Sequence, residues 1–567
     1  MEETKTNIAP ALGRPPVTVH ALRAEHELLL LCSRVFIDSA DSTRIQLLLQ
    51  TSLDWNFLLL AASRNHVLGL VSHNLKSVCA EAIPAPTLQF LRDCSRKTAD
   101  RNHYLAAELK RVHALFLAHG VSALPFGGPL LAALAYRDAS LRETNNIEFL
   151  VAPENILQAR DLLMAGGYRR EYTWDAAREA AELRFRRVLA LDRSEDGVHI
   201  WLFCDLDPGS YSRPLRFASF APSTVTLDGE SITALNAEDA VLQACVRAAS
   251  EALSPHLSLI SDVAHLGANL DTDAWQRILD RAGLLGVKRK VLVILALASV
   301  LLRAKCPKMI ESSLRSDPPA SGLCEHVTQC LFSDTDYVPE MRKRVALQLA
   351  ARDRLIDKAR FLIRFAAGPT RDDWAMMPLP SSFYYALRPF RMLGRRAGLF
   401  RQQRLAVFMP TPVEIVEEML GLAEVGPSDT VYDLGCGDGR IVIYAAQRYG
   451  SRGVGVDLDP DRVAEAKAGA AAAGVDHLVT FSQQNVMDVD LSSASVVSLF
   501  LSPQANLMLR PRLHQQLTPQ ARIVSRSHDM GDWAPLKTKL VACDGALSRI
   551  YLWRLDGNGK PTGGGAG

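Results

Sequence analysis

A glycine-rich turn flanked by acids is the part of this sequence best suited to chemistry. The segment Val431–Asp438, VYDLGCGD, has the pattern of a buried strand followed by a turn, with Asp433 before the turn and Asp438 inside it. Three glycines alternate with other residues here: Gly435, Gly437 and Gly439. Glycines let a ligand lie against bare backbone, and a helix that begins after the turn directs its unpaired N–H groups toward the same place. The turn is therefore a predicted ligand site.

A second acid, at the end of the next predicted strand, narrows the class of ligand. The segment Gly453–Asp459, GVGVDLD, places Asp457 where a carboxylate can accept hydrogen bonds from both ribose hydroxyls of an adenosine ligand. Dinucleotide-binding folds share this geometry, but their fingerprint is GxGxxG and the spacing here is GxGxG. Acids beside the turn would repel a pyrophosphate and suit the sulfonium and ammonium groups of S-adenosylmethionine (SAM). The pattern favours SAM over NAD.

The elements that must position this turn alternate between strands and helices from Met409 to about Leu555. Strand-like apolar runs such as SVVSLFL and ARIVSRS are separated by segments with helical periodicity, such as GRIVIYAAQRYG and PDRVAEAKAGAAAAG. This alternation predicts a mostly parallel, Rossmann-like doubly wound sheet. Ligands of such sheets bind at the carboxyl ends of the strands, near the topological switch point, which is where the glycine-rich turn is expected.

These motifs resemble those of class I SAM-dependent methyltransferases. The resemblance covers about Val407–Arg554, and within the class it is to a bacterial group related to the mitochondrial lysine methyltransferases that act on the ATP synthase c-subunit. It implies that Asp433, Gly435, Gly437 and Asp438 hold the methionine end of SAM and that Asp457 holds the ribose. It also places Asn485 at the position that contacts adenine, as an acceptor in place of the usual acid. Thr411 belongs to the Met-Pro-Thr-Pro segment (409–412), which resembles the family's lead-in over the cofactor.

The acceptor side of the site is less defined by the sequence. The segment Leu499–Pro503, LFLSP, differs from the Asn/Asp-Pro-Pro-Tyr box that holds a planar amine in related enzymes, so methylation of DNA adenine or of a glutamine amide is disfavoured. The related lysine methyltransferases also lack that box, and a protein lysine stays a candidate acceptor. Methyl transfer needs no protein nucleophile, because catalysis is mostly positioning and desolvation. His528 and Asp529, after the fifth predicted strand, are candidate catalytic residues, and a surface histidine beside a turn acid is the alternative.

A second candidate site lies in the N-terminal two-thirds of the chain. The predicted strand Asn146–Val151, NIEFLV, places residues 146 and 148 on one face, as for two carboxylates that hold Mg²⁺. The region from about residue 25 to 400 resembles the uncharacterised nucleotidyltransferases, through Phe126–Gly128 and the later segment SLISD among others. In place of that family's three metal-binding acids the chain has Asn146, Glu148 and His199. We therefore predict a degenerate site without a metal and a catalytically inactive module; metal or nucleotide binding by Glu148 and His199 is the alternative.

Composition limits the class of partner and the compartment. The net charge is +2, from 64 basic and 62 acidic residues, so no global field favours DNA, and no DNA partner is expected. The ten cysteines form no CxxC pair or zinc pattern, which predicts reduced thiols in a cytoplasmic protein. The longest apolar run, Val291–Leu302, is shorter than the roughly 20 residues that a membrane span needs, so a buried helix is expected there.

Together these patterns predict a multidomain α/β protein. The N-terminal domain is expected to be largely helical with an embedded α+β unit. The predicted divisions are a disordered N-terminus (1–19), a nucleotidyltransferase-like domain (20–385; helical 20–120, α/β core 121–236, helical 237–367), a basic linker (386–406), a methyltransferase domain (407–556) and a flexible tail (557–567). The linker contains six arginines between residues 388 and 404 and no acid there; a solvated linker is favoured over a phosphate-binding one.

Three functions remain open at this point. The first is a SAM-dependent methyltransferase that acts on an unknown protein or small-molecule acceptor, with the inactive module binding substrate or partner. The second is a nucleotidyltransferase that uses Mg-NTP and has an accessory methyltransferase domain. The third is a non-catalytic interaction protein. Titration with SAM and with Mg-NTP separates the three, because the first binds only SAM and the third binds neither.

Overall fold

The protein is described by a computed structural model over residues 22–170, 176–193, 196–207, 215–250, 256–306, 308–332, 341–367, 409–543 and 546–556. The chain divides into two compact units, Met1–Arg396 and Ala397–Gly567. The predicted disordered N-terminus, basic linker and flexible tail lie outside the described residues. The domain boundaries drawn from the sequence therefore remain a proposal.

The N-terminal unit is mostly helical over its described residues. Its α-helices are α1 (Ala24–Cys32), α2 (Ser39–Leu49), α3 (Trp55–Arg64), α4 (Leu68–Cys79), α5 (Ala85–Ala118), α6 (Gly128–Leu131), α7 (Ile156–Ala165), α8 (Ala176–Arg186), α9 (Ala237–Ser250), α10 (Leu257–Gly267), α11 (Thr272–Leu285), α12 (Lys288–Leu302), α13 (Lys308–Arg315), α14 (Pro318–Leu331), α15 (Met341–Ala350) and α16 (Leu355–Ala367). The long apolar run of the sequence lies in α12, where nearly every side chain is buried. Over the described residues, none of these helices is both long and apolar enough to cross a membrane.

A mixed sheet forms the α+β part of this unit. Its strands are β1 (Ala123–Phe126), β2 (Asn146–Val151), β3 (Arg169–Arg170), β4 (Val188–Arg193) and β5 (Val198–Phe203). Their order is β1-β2-β5-β4-β3, with β2 parallel to β5 and the other pairs antiparallel. Ile147, Phe149 and Val151 pack into the core on one face, so the alternation along β2 directs Asn146 and Glu148 to the other face.

Two local features of this unit were not predicted. A separate hairpin pairs β6 (Pro222–Leu227) with β7 (Glu230–Leu235). Its turn residues Asp228 and Gly229 both have positive φ, 48° and 81°, so the Asp-Gly signature of a tight hairpin turn was present in the sequence and overlooked. The segment after Gly128 is one α-helical turn followed by a π-helix at Ala132–Tyr136.

The C-terminal unit is a seven-stranded sheet covered by helices. Its elements in chain order are α17 (Val413–Leu422), β8 (Thr430–Leu434), α18 (Arg440–Tyr449), β9 (Arg452–Asp457), α19 (Pro460–Ala472), β10 (Val479–Gln483), β11 (Val496–Leu499), α20 (Pro503–Gln516), β12 (Arg522–Arg526), β13 (Lys537–Cys543) and β14 (Ala546–Arg554). The sheet order is β10-β9-β8-β11-β12-β14-β13, parallel from β10 to β12, with β14 antiparallel to both neighbours. The Rossmann-like doubly wound sheet predicted from the sequence is confirmed.

Strand β13 was missed from the sequence. Its segment KTKLVAC begins with alternating lysines, and Lys537 and Lys539 are exposed. Charged side chains of this kind protect the outer strand of a sheet from pairing with other chains, and they also mask the apolar pattern by which strands are recognised.

The order of the sheet reverses at β8, which lies between β9 and β11. Ligands of open α/β sheets bind beyond the carboxyl end of a strand at such a reversal. Strand β9 brings backbone unusually close to its neighbours, since a Cβ added at Gly455 would lie 2.6 Å from the Phe481 ring. The two glycines of this strand therefore let side chains pack directly on its backbone.

Candidate active site

The glycine-rich turn leaves β8 at its carboxyl end and is held by the adjacent strand. Gly435 N and Cys436 N both donate to the carbonyl oxygen of Val456, at 2.9 and 3.0 Å. All three glycines have positive φ, with values of 88° at Gly435, 53° at Gly437 and 78° at Gly439. Most other residues would be strained in these conformations. The turn thus has a fixed shape. Gly435 is exposed, whereas Cys436, Gly437 and Gly439 are buried.

An open cavity with an empty volume of about 870 Å³ lies at this turn. It is lined by Met409, Pro410, Thr411, Asp433, Gly435, Cys436, Asp438, Arg440, Ile441, Asp457, Leu458, Asp459, Arg462, Val486, Phe500 and Leu501. Of the residues singled out in the sequence, Thr411, Asp433, Asp438 and Asp457 are brought together here, with Gly435. Gly437 lies in the same turn and donates to Asp457.

Asp433 is the buried acid of this cavity, with 3% of its surface exposed. The pKa of its carboxyl is raised to about 7, mainly by burial and also by the negative charges of Asp457 and Asp438, while the hydroxyl of Ser498 acts in the opposite direction. Ser498 lies directly across from Asp433 in the β8–β11 ladder. A carboxyl so placed gains from a cation bound beside it.

Asp457 organises the backbone as well as facing the cavity. One carboxylate oxygen accepts from Gly437 N at 2.9 Å, and the other accepts from Asp459 N at 2.9 Å. The side chain therefore ties the glycine-rich turn to the start of α19. Carboxylate oxygens can accept more than one hydrogen bond, so capacity for ribose hydroxyls remains.

Arg440 is a cavity residue that the sequence reasoning missed. Its Nε lies 3.0 Å from both carboxylate oxygens of Asp438, and its Nη2 lies 2.5 Å from Oδ2. Its Nη1 donates to the carbonyl oxygen of Thr411 at 3.0 Å. The guanidinium thus connects the glycine-rich turn to the lead-in segment. The Asp-Gly-Arg run was visible in the sequence, but only the fold shows that the arginine turns back toward the acid.

Asn485 follows β10 but is absent from the cavity lining, which its neighbour Val486 joins. The Asn485 side-chain oxygen accepts from Met487 N at 2.9 Å and begins a short 3-10 helix. The predicted adenine contact therefore depends on the remaining acceptor capacity of that oxygen.

His528 and Asp529 follow β12 and do not line the cavity either. Their backbone carbonyls accept from the buried Asn506 side chain, each at 3.2 Å. The Asp529 carboxylate accepts from Gly531 N at 2.9 Å, as a turn acid does. The structure thus holds this loop by its backbone, and the catalytic role suggested for the two side chains stays a prediction.

Phe500 and Leu501 give the cavity an apolar wall after β11. The Arg526 guanidinium carbon lies 4.3 Å from the centre of the Phe500 ring. This cation–π contact joins residues of two different strand ends, so no local pattern predicts it. The cavity therefore has acids around the glycine-rich turn and an apolar wall after β11.

In the N-terminal unit, the three positions of the predicted degenerate metal site are neighbours on the sheet, and each is engaged by another side chain. Asn146 pairs with His199 across the β2–β5 ladder, whereas Glu148 pairs with Trp201. His199 is half exposed, and its Nδ1 lies 2.5 Å from Asp192. Both oxygens of Glu148 are already bonded, one to Arg247 and the other to the Asn146 amide at 3.0 Å. Over the described residues no group of three His, Cys, Asp or Glu side chains could hold a metal ion, so these residues do not fit one.

Family comparisons match both units. Residues 433–537 match the ANTKMT methyltransferase domain, and residues 51–303 match the uncharacterised nucleotidyltransferase family. The second match is shorter than the region of about 25–400 that the sequence motifs suggested.

The family of the methyltransferase unit is shown by its similarity to one relative. A protein-lysine N-methyltransferase of Saccharolobus islandicus is 39% identical over 148 residues, which are 26% of this chain and 91% of that protein. The chain belongs to the ANTKMT methyltransferase family. Its C-terminal unit is a SAM-dependent methyltransferase, as the sequence predicted, and its N-terminal unit is nucleotidyltransferase-like.

Other relatives of this methyltransferase family are covered less completely. The adenine nucleotide translocase lysine N-methyltransferase of Mus musculus is 34% identical over 26% of this chain and 62% of its own length. The Homo sapiens lysine N-methyltransferase of the ATP synthase c-subunit is 31% identical over 23% of this chain and 54% of its own length. Among solved structures, an RNA methyltransferase from Salinibacter ruber in complex with S-adenosylhomocysteine is 47% identical over 26% of this chain and 94% of that one, with a TM-score of 0.25.

Proposed function

We propose that the methyltransferase unit transfers a methyl group from SAM to the ε-amino group of a protein lysine. The observation that supports this most is the composition of the cavity lining, which combines acids around the glycine-rich turn with an apolar wall of Phe500 and Leu501. The acids suit the cationic cofactor, and the wall suits an alkyl amine. The names of the archaeal and mouse relatives agree with this acceptor.

Methyl transfer requires mainly that the protein position SAM and the acceptor nitrogen relative to each other. The lone pair of a neutral lysine nitrogen forms the new N–C bond, the C–S bond breaks, S-adenosylhomocysteine leaves and the proton goes to solvent. The apolar wall, with Arg526 against the Phe500 ring, disfavours the ammonium form of the acceptor, because burial and a nearby cation both lower the pKa of an amine. Phe500 and Leu501 would thus help to deliver the nucleophilic form in line with the sulfonium.

The proposed cofactor contacts follow from the cavity. Asp457 accepts from the ribose hydroxyls, and Asn485 contacts the adenine. Asp433, Asp438 and the glycine-rich turn with Gly435 and Gly437 hold the methionine end, under a lead-in segment that includes Thr411. These assignments rest on the placement of the residues in one cavity, with Asn485 beside it.

Arg440 adds a contact that the acids alone cannot supply. The methionine end of SAM is a zwitterion, with an ammonium and a carboxylate. Asp438 and Arg440 form an ion pair of matching polarity in the cavity wall, and 34% of the arginine side chain stays exposed. We assign the carboxylate of the cofactor to Arg440 and its ammonium to Asp438.

Replacing Arg440 with methionine is expected to weaken SAM binding about tenfold or more, as for the loss of a charge-assisted hydrogen bond. Decarboxylated SAM lacks the group that Arg440 would contact, so its affinity should change much less. Isothermal titration of both ligands measures the difference. Arg448→Met, an exposed arginine of the same helix, is the matched control and should leave both affinities unchanged. Equal losses for the two ligands in Arg440→Met would contradict the assignment.

The raised pKa of Asp433 predicts a pH-dependent affinity for SAM. Below about pH 7 the free protein holds this carboxyl protonated, and a cationic ligand favours its charged form. Affinity should therefore increase as the pH rises through about 7, by about tenfold between pH 6 and pH 8, with proton release on binding. Calorimetry in two buffers of different ionisation enthalpy measures both effects.

The same pKa gives the opposite trend for the stability of the free unit. The folded pKa lies above the ordinary value of 3.8, so the contribution of Asp433 is fully present below that value and is lost as the pH rises toward 7. Asp433→Asn should flatten both profiles. A wild-type affinity that is the same at pH 6 and pH 8 would refute the role given to this carboxyl.

For the N-terminal unit we propose recruitment of the acceptor protein or of another partner. The cytoplasm is the proposed place of action, which the nine free cysteines of the described residues support.

The acceptor can be identified with labelled SAM. The full-length protein and its Asp457→Ala variant are each incubated with a lysate of the source organism and methyl-labelled SAM. We expect label in protein, released as methyl-lysine after complete hydrolysis, with the wild type only. Label in RNA, lipid or small molecules at the same level would overturn the lysine proposal while leaving the methyltransferase assignment intact.

A further inference from the structure

The nucleotidyltransferase-like unit contains an ion pair at the point where such enzymes need a metal. Glu148 lies on β2 with no exposed side-chain surface, and Arg247 on α9 reaches it with 28% of its side chain exposed. The two residues are 99 positions apart in the sequence, so only the fold brings them together.

Nucleotidyl transfer needs positive charge at the strand carboxylates, normally from Mg²⁺ that also binds the phosphates. Here Asn146 contributes a neutral amide and donates to Glu148 at 3.0 Å. The second oxygen of Glu148 is bonded to the guanidinium of Arg247. Arg247 is therefore a fixed cation on the oxygen that a metal ion would otherwise bind.

The neighbouring Arg142 interacts with Glu148 through its charge, but its Nε and Nη2 hydrogen-bond to another carboxylate. Arg142 is buried, and its Nε and Nη2 donate to the two carboxylate oxygens of Asp262 at 2.7 and 2.9 Å. Tyr136 donates to the same carboxylate at 2.8 Å. A buried carboxylate without a partner is strongly destabilising. Arg247 hydrogen-bonds to Glu148, and Arg142 adds the attraction of its charge.

The space over the adjacent turn is also filled from within the chain. Gly127, between β1 and α6, has a φ of 62°, and a Cβ at this position would collide with Glu148 Oε2. That Cβ would also lie 3.4 Å from Arg247 Nη1. The glycine thus makes room for the ion pair, and the backbone that could face a phosphate is covered by a carboxylate.

We propose that Arg247 takes the place of the catalytic cation in the N-terminal unit. The unit then folds around the Glu148–Arg247 pair without a divalent metal, and it contributes no nucleotidyl transfer. This inference is independent of the methyl acceptor and of the cofactor contacts proposed above.

A count of bound metal tests the first half of this proposal. The full-length protein is titrated with Mn²⁺, with and without ATP, and free Mn²⁺ is measured by electron paramagnetic resonance. We expect no bound Mn²⁺ at this site and the same result for Glu148→Gln. The double variant Asn146→Asp/Arg247→Met has carboxylates at positions 146 and 148 and lacks the guanidinium at 247. It should bind one Mn²⁺ per protein molecule at this site. A wild-type Mn²⁺ site that Glu148→Gln removes would overturn the proposal.

A double-mutant cycle on thermal unfolding tests the second half. Arg247→Met and Glu148→Gln should each lower the melting temperature of the N-terminal unit, and the double variant should lose clearly less than the sum of the two. The ion pair Arg281–Asp239 provides the control, because its side chains are 31% and 0% exposed, close to the values for Arg247 and Glu148. The decreases in melting temperature caused by Arg281→Met and by Glu148→Gln should be additive in the double variant. SAM affinity should stay unchanged in Arg247→Met, and additive effects at 148 and 247 would refute the structural pair.

Discussion

Alanine at position 457 is expected to reduce SAM affinity by about a hundredfold or more. Asp457 lines the cavity and accepts two backbone hydrogen bonds, from Gly437 N and Asp459 N. Hydrogen bonds to a charged group contribute about 1.5–3 kcal/mol each, so loss of the ribose contacts and of the bonds that shape the turn gives an effect of this size. Isothermal titration with SAM and with S-adenosylhomocysteine measures it.

Asp461 provides the matched control for that experiment. It lies in the first turn of α19 with an exposed side chain and does not line the cavity. Asp461→Ala removes the same charge a few residues away, so its affinity should be close to that of the wild type. If Asp457→Ala also bound SAM like the wild type, the proposed ribose contact would be wrong.

Gly439→Ala is expected to destabilise the methyltransferase unit by about 2–5 kcal/mol. The residue has a φ of 78°, which costs an L-amino acid about 1–2 kcal/mol. The added Cβ would lie 2.6 Å from the Phe481 ring and 2.8 Å from the Ala466 Cβ, and overpacking of a core typically costs about 1–3 kcal/mol more. Thermal unfolding of the full-length protein, followed with and without SAM, measures the effect.

Gly421→Ala is the control for the glycine series. Gly421 lies in α17, and a Cβ there would meet no atom within 4 Å. Alanine favours a helix interior by up to about 1 kcal/mol over glycine, so this variant should be neutral or slightly stabilising. Equal stability of the two variants would show that the turn is not locked against β10 and α19 as described.

The methyltransferase sheet was predictable because its signals are local. Strand β8 is buried along nearly its whole length, as the apolar run TVYDL indicates, and α18 and α19 have clear helical periodicity. Edge strand β13 was missed because lysines replace the apolar alternation. The β6–β7 hairpin was overlooked despite its Asp-Gly turn.

The acidic half of the cofactor site was also predictable from spacing. Acids and glycines that follow neighbouring parallel strands must meet at the same edge of the sheet, which brings Asp433, Asp438 and Asp457 together. His528 and Asp529 follow a strand of that sheet too, but their backbone is held by Asn506 and neither residue lines the cavity, so their catalytic role stays a prediction. Position after a strand therefore does not by itself determine where a side chain points.

By itself, the sequence determined the doubly wound sheet and the glycine-rich turn. These features depend on residue type and on short-range spacing, which limit backbone conformation directly. Only the tertiary structure determined the partners of three arginines. Arg440 bonds to Asp438 and to the carbonyl of Thr411, Arg526 contacts the Phe500 ring, and Arg247 bonds to Glu148. Long cationic side chains reach several ångströms from their backbone, and their partners are set by the packing of distant elements that no local pattern encodes.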